Sequence, residues 1–157
     1  MKNAVKYLII NSMLIIMVCG CKKGSTTPDP IIPDTTKPTI SITQPTAGKE
    51  FVAGNTITFQ ATFADNVKLK SYDITISKVL ATGFILKNVP TPVAWSYVKS
   101  ATSFTSGVKQ QDITLSDIII PMDISGSPVA TGDYNFKVNC IDGSDNSIST
   151  TLVIKIK

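Results

Sequence analysis

From Thr56 to Phe63 the chain alternates without a break, with Ile57, Phe59, Ala61 and Phe63 on one face and Thr56, Thr58, Gln60 and Thr62 on the other. A period of two is the signature of a strand with one face buried, and a helix of period 3.6 has no use for it. The pattern recurs along the chain. Thr39–Thr43 turns Ile40 and Ile42 to one side, Lys70–Ile76 does the same with Tyr72, Ile74 and Ile76, and Val93–Val98 with Val93, Trp95 and Tyr97. Gln111–Ile120 follows, with a register irregularity expected at Ser116-Asp117. Tyr134–Ile141 places Tyr134, Phe136, Val138 and Cys140 inward, and Ile148–Ile156 does so with Ile148, Leu152, Ile154 and Ile156.

Turn residues punctuate these runs: Pro45–Lys49, Asp65-Asn66, the Gly126, Pro128 and Gly132 connection, and Asp142-Gly143-Ser144-Asp145-Asn146. Val79–Leu86, which contains Thr82-Gly83, reads as a hairpin or an apolar loop, and Ala101–Gln110 reads as a polar loop. Ile, Val and Thr make up 52 of the 157 residues and there is a single Glu, so the composition favours sheet and excludes a helical bundle. Seven or eight short strands, each with one apolar face, predict two packed antiparallel sheets. Tyr134 follows Gly132-Asp133 at the head of the penultimate strand, the place of a corner tyrosine. The expected fold is all-β: an immunoglobulin-like antiparallel β-sandwich of the broad fibronectin/cadherin type, without the antibody disulfide.

The N-terminus reads as an address. Met1–Lys6 is short and basic, Tyr7–Val18 is apolar, and Val18-Cys19-Gly20-Cys21 closes the segment. The apolar run is too short for a permanent span. The closing residues resemble a bacterial lipobox, with a small residue before the acceptor, and Cys21 fits as the lipidated residue while Cys19, preceded by Val18, does not. The resemblance implies a lipoprotein signal peptide over 1–20, a lipidated Cys and flexible Pro/Thr-rich linker over 21–37, and a sandwich domain over 38–157. Acyl chains on Cys21 would hold the mature protein to a membrane through burial of their CH₂ groups. The linker Lys22–Lys37, if extended, reaches roughly 50 Å at about 3.1 Å per residue. With Cys19 removed and Cys21 acylated, Cys140 has no intrachain partner and is expected as an inert buried thiol.

A formal charge of +4 would suit nucleic acid, but its distribution does not. From Pro38 onward ten Lys face nine acids, and the chain has no Arg to clamp a phosphate. It also has no His, the commonest general base. Asp112, Asp117 and Asp123 lie along one segment without a base–nucleophile pair, so the expectation is a non-enzymatic module.

Taken in order, the lipobox, Asp34-Thr35-Thr36-Lys37-Pro38-Thr39-Ile40, Phe51, Gly54, Ile57, Asp65-Asn66, Leu69, Ser71-Tyr72 and Ile74 resemble an uncharacterised family. Ile120-Pro121, Gly132-Asp133-Tyr134, Phe136, Val138, Cys140, Asp142 and Asp145-Asn146 complete the match. It is a family of Bacteroidota lipoproteins, each with one immunoglobulin-like domain of unknown function. Typical members carry a His-rich loop after the third strand and more histidines before the fifth, which suggests a metal site. This chain has Ser77–Phe84 and Gln110-Gln111-Asp112 there, so no metal ligand carries over. Asp34-Thr35-Thr36 further resembles the O-glycosylation sequon of exported Bacteroidota proteins, with Thr35 as acceptor.

Two sets of residues are candidate sites. Asp65, Asn66, Asp142 and Asp145 lie in inter-strand turns and offer the oxygen ligands calcium requires. They are equally the residues that build turns by bonding their own backbone. Phe84 and Phe104, in predicted loops, and Trp95 are the aromatics able to stack on a sugar, while Trp95 and Tyr97 also suit a core. Three readings follow: a membrane-anchored binding or adhesion module for a protein or glycan, a carbohydrate-binding accessory lipoprotein of a glycan-uptake system, and a calcium-stabilised structural module of the envelope. The expected location is the outer membrane. Lys22-Lys23-Gly24-Ser25 after the acceptor Cys leans toward its periplasmic face.

Overall fold

A computed structural model describes residues 32–79 and 92–157. The leader, Cys21 and Phe84 lie outside the described residues. Among those described, the ordered elements are all strands: β1 (Thr39–Gln44), β2 (Glu50–Phe51), β3 (Thr56–Ala64), β4 (Leu69–Lys78), β5 (Ser96–Ser103), β6 (Gln110–Ile119), β7 (Asp123–Ile124), β8 (Ser127–Pro128), β9 (Gly132–Asp142) and β10 (Ser147–Ile156).

They form a three-stranded sheet in the order β1-β3-β6, a five-stranded sheet in the order β2-β10-β9-β4-β5, and the small β7-β8 pair. Pairing is antiparallel except between β2 and β10, which run parallel. The chain changes sheets between β1 and β2, where the Gly48 N–H donates to the Val153 carbonyl at 2.7 Å. This is the two-layer arrangement of an immunoglobulin-like sandwich.

The alternating apolar faces meet between the layers. Ile57, Phe59 and Phe63 of β3 face Tyr72, Ile74 and Ile76 of β4, Tyr134, Phe136 and Val138 of β9, and Ile154 and Ile156 of β10, all but fully buried. Phe59 stacks on Phe136 with ring centroids 5.7 Å apart, and Phe63, Tyr72 and Phe104 form a three-ring cluster at 5.1–5.2 Å. The register of β3 on β6 slips between Ile57↔Ile118 and Phe59↔Leu115, which locates the irregularity at Ser116-Asp117.

The corner tyrosine is present in full. The buried Tyr134 hydroxyl donates to the Ala130 carbonyl at 2.6 Å and accepts a longer bond from the Trp95 N–H at 3.4 Å. It pins the β8–β9 connection to the head of β5.

Two expectations need correction. The strand read at Val93–Val98 runs instead from Ser96 to Ser103, into the segment read as a polar loop. Val93 makes only an isolated bridge to Val129. In addition, Asp34 to Thr36, expected in the spacer, lie against the strand-connecting turns, and the compact unit begins at Pro33.

Candidate metal centre

Three chain segments converge at one end of the sandwich. The turn after β3 carries Asp65, the end of β9 carries Asp142, and the approach to β1 carries Asp34. Each carboxylate is positioned by short local bonds, as Asp does in turns. Asp65 Oδ2 accepts from the Val67 and Lys68 N–H groups, both at 2.8 Å. Asp142 Oδ1 accepts from the Ser144 and Asn146 N–H groups at 2.8 Å, and its Oδ2 from Asn146 Nδ2 at 2.8 Å. Asp34 Oδ1 accepts from the Thr36 N–H at 3.0 Å and from Asn66 Nδ2 at 3.1 Å. These two bonds, the one from Asn66 first, hold the Asp34 carboxyl below the usual carboxylate range.

Asn146 binds the segments together. Its Nδ2 reaches the Asp142 carboxylate and the backbone carbonyls of Asp34 at 3.1 Å and Thr36 at 3.3 Å. The three aspartates thereby bring one carboxylate oxygen each within 4.8 Å of the others. Asp142 is fully buried, the one buried charged residue among those described. Asp34 Oδ2 and Asp65 Oδ1 are out of solvent and have no hydrogen-bond donor.

That pattern has a chemical meaning. Backbone and amide donors satisfy both oxygens of Asp142 and one oxygen each of Asp34 and Asp65, and leave the second oxygen of those two unpaired. A buried acceptor without a donor is costly, and three carboxylates in mutual proximity repel. A hard cation relieves both effects. An all-oxygen donor set with irregular geometry suits calcium, whose coordination is flexible, better than magnesium, which demands a near-ideal octahedron.

The sequence pointed to Asp65 and Asp142, and both are here. Asn66 supports the cluster through its bond to Asp34. Asp145 stands outside it: its backbone is left-handed (φ +67°), and its carboxylate pairs with Lys70 at the surface. Asp34 was missed. It sits 31 residues before Asp65 in a Pro/Thr-rich stretch, where the one local signal, Asp34-Thr35-Thr36, is that of a glycosylation sequon. Thr35 itself is exposed beside it.

The aromatic candidates divide differently. Trp95 is 6% exposed and packs against Tyr97 and Tyr134 at 6.3 and 6.1 Å, so it fills the core and offers no stacking platform. Phe104 is also 6% exposed and belongs to the ring cluster with Phe63 and Tyr72.

Cys140 lies on the inner face of β9, fully buried. Burial, reinforced by the nearby charges of Asp65 and Asp142, pushes its thiol up to about 12. Asp112, Asp117 and Asp123 engage separate partners: Thr62, Lys99 and the Gly126 N–H.

The family model of a domain of unknown function, DUF4625, matches residues 19–157. No curated protein matches the chain. Among solved structures, the fibronectin(III)-like modules of Clostridium thermocellum CbhA superpose with a TM-score of 0.42 at 17% identity, over 76% of this chain and 46% of that one. Spo0M, a sporulation control protein from Bacillus subtilis, superposes with a TM-score of 0.43 at 10% identity, over 77% and 49%. The chain therefore spans about half the length of the solved chains it resembles.

Proposed function

The chain belongs to the DUF4625 family, and from that premise we propose that it is a lipid-anchored, non-catalytic binding module of the cell envelope, with calcium locking the segment around Asp34 to the turns at Asp65 and Asp142. The observation that carries the calcium reading is the pair of buried, donorless oxygens on Asp34 and Asp65, two residues whose carboxylates cluster with that of the buried Asp142. Asp34, Asp65 and Asp142 would supply the charged ligands. The anchored location rests on the basic-then-apolar leader and on Gly20-Cys21.

Calcium here has a structural task. Asp34 belongs to the segment that enters the domain, while Asp65 and Asp142 belong to turns of the two sheets. A cation shared by the three ties the segment entering β1 to the turns of both layers. Binding to the folded state alone raises stability by about 2.7 kcal/mol at a hundredfold excess over Kd.

The test is thermal unfolding of the full chain in millimolar calcium and in EDTA. The expected result is a melting temperature several degrees higher in calcium, with the difference abolished in Asp65→Asn and Asp142→Asn. A melting temperature indifferent to calcium and EDTA refutes the cation reading. Unmodified Cys21 in the membrane fraction, seen by mass spectrometry, refutes the anchor.

A further inference from the structure

Beside the carboxylate cluster, and distinct from it, a cleft of about 400 Å³ opens between the turn that precedes β4, the end of β5 and the turn after β9. Its apolar lining comes from Leu69 and Phe104, which are 4% and 6% exposed. Its rim is polar, with Lys68, Lys70, Ser103 and Ser106.

The two lysines are placed by backbone. The Lys68 N–H is held by Asp65, and the Lys68 carbonyl accepts from the Gly143 N–H at 2.9 Å. The Lys68 stem lies where a side chain at position 143 would be, so glycine at that position leaves it room. The Lys70 carbonyl accepts from the Phe104 N–H at 3.2 Å, and its ammonium pairs with Asp145. Lys68 makes no ion pair among the described residues.

The geometry points to a binding site for a sugar bearing one carboxylate, of the hexuronic acid class. Lys68 offers a free positive charge, which selects an anion. The Asp145 carboxylate paired with Lys70 repels a multiply charged anion, which disfavours a phosphate dianion. No arginine is present to clamp one in bidentate fashion. The hydroxyls of Ser103 and Ser106 match a ring rich in hydroxyls, and the apolar lining from Leu69 and Phe104 matches its C–H face. Phe104 thus contributes the wall of a cleft, where a fully exposed ring would have been a stacking platform.

The proposal rests on the binding-module reading and is independent of the cation. It is tested by titrating the full chain with D-glucuronate, following amide resonances by NMR. The expected result is saturable movement of the Gly107 and Gly143 resonances. D-glucose and inorganic phosphate should bind at least tenfold more weakly. Lys68→Gln should weaken glucuronate at least tenfold with an unchanged melting temperature, and Lys70→Gln should weaken it as well. Absent saturation, equal binding of glucose or phosphate, or indifference to both substitutions overturns the proposal. A calcium-raised melting temperature without glucuronate binding removes the cleft alone. Glucuronate binding with a calcium-indifferent melting temperature removes the cation alone.

Discussion

Replacing Tyr134 by Phe removes one oxygen from the centre of the fold. The ring stays, and with it the contact to Trp95 at 6.1 Å. What is lost is the 2.6 Å bond to the Ala130 carbonyl, in a residue only 7% exposed, and the 3.4 Å bond from the Trp95 N–H. A buried backbone group left without its partner costs about 1–3 kcal/mol, and the second bond is too long to add much, so the expected loss is about 2 kcal/mol. The Pro33–Lys157 unit has about 125 residues. At about 2.1 cal/mol/K per residue its unfolding entropy is roughly 0.26 kcal/mol/K, which converts the loss into a fall in melting temperature of about 8 °C. Calorimetry gives the temperature, and urea unfolding should show a lower midpoint with an unchanged slope. Tyr97→Phe, at a half-buried ring, should shift it by less than a third as much. A fall of under 2 °C for Tyr134→Phe, or one as large for Tyr97→Phe, would refute the view that this hydroxyl pins the β8–β9 connection.

Other outcomes follow from the core and its charges. Phe136→Ala empties the ring stacked on Phe59 and should cost about 3–5 kcal/mol, read as a urea midpoint lowered without a change of fold by circular dichroism. The Cys140 thiol, pushed up to about 12, should resist thiol reagents at pH 8 until the protein unfolds, so its labelling rate should rise steeply only through the unfolding transition. Because its folded value lies above the unfolded one, its stabilisation is complete below about pH 9 and is lost as pH rises toward 12, and Cys140→Ala should flatten that alkaline decline. Asp34, held low by Asn66 and Thr36, has the opposite sign: its contribution is present above the ordinary carboxylate value and fades as acid protonates it. In EDTA, Asp34→Asn should therefore reduce the loss of stability on acidification, measured by urea midpoints between pH 5 and pH 3.

The strands that bury one face were legible because burial imposes the alternation itself: Ile57 to Phe63 and Tyr134 to Cys140 are inward as their spacing requires. β5 was misplaced for the same reason in reverse. It is an edge strand, paired only with β4, and its exposed side carries Ser96, Val98, Ser100 and Ser103, so its chemistry is that of a surface. The apolar Val93 and Trp95 ahead of it mimic a strand, yet Trp95 is buried against the corner tyrosine. In the cluster, Asp65 and Asp142 announce themselves as turn residues, while Asp34 joins them only through the return of the chain in three dimensions. No local pattern encodes a meeting of residues 34, 65 and 142. The cleft was likewise illegible, since its apolar lining belongs to the core and its lysines look like any surface lysines.

The placement of β9 and β10 in the middle of the five-stranded sheet governs how the chain can be made. Within the domain these strands are the last to emerge during synthesis, yet β9 separates β4 from β10, and β10 separates β9 from β2. Until they arrive, β4 has no neighbour on its inner side and the apolar face of β3 has only β4 to close upon. Folding therefore waits for the end of the domain and completes in one late, long-range step. A chain cut short within β9 would expose two unpaired edges and an open apolar layer, making it a substrate for holding chaperones and proteases while the finished molecule is not.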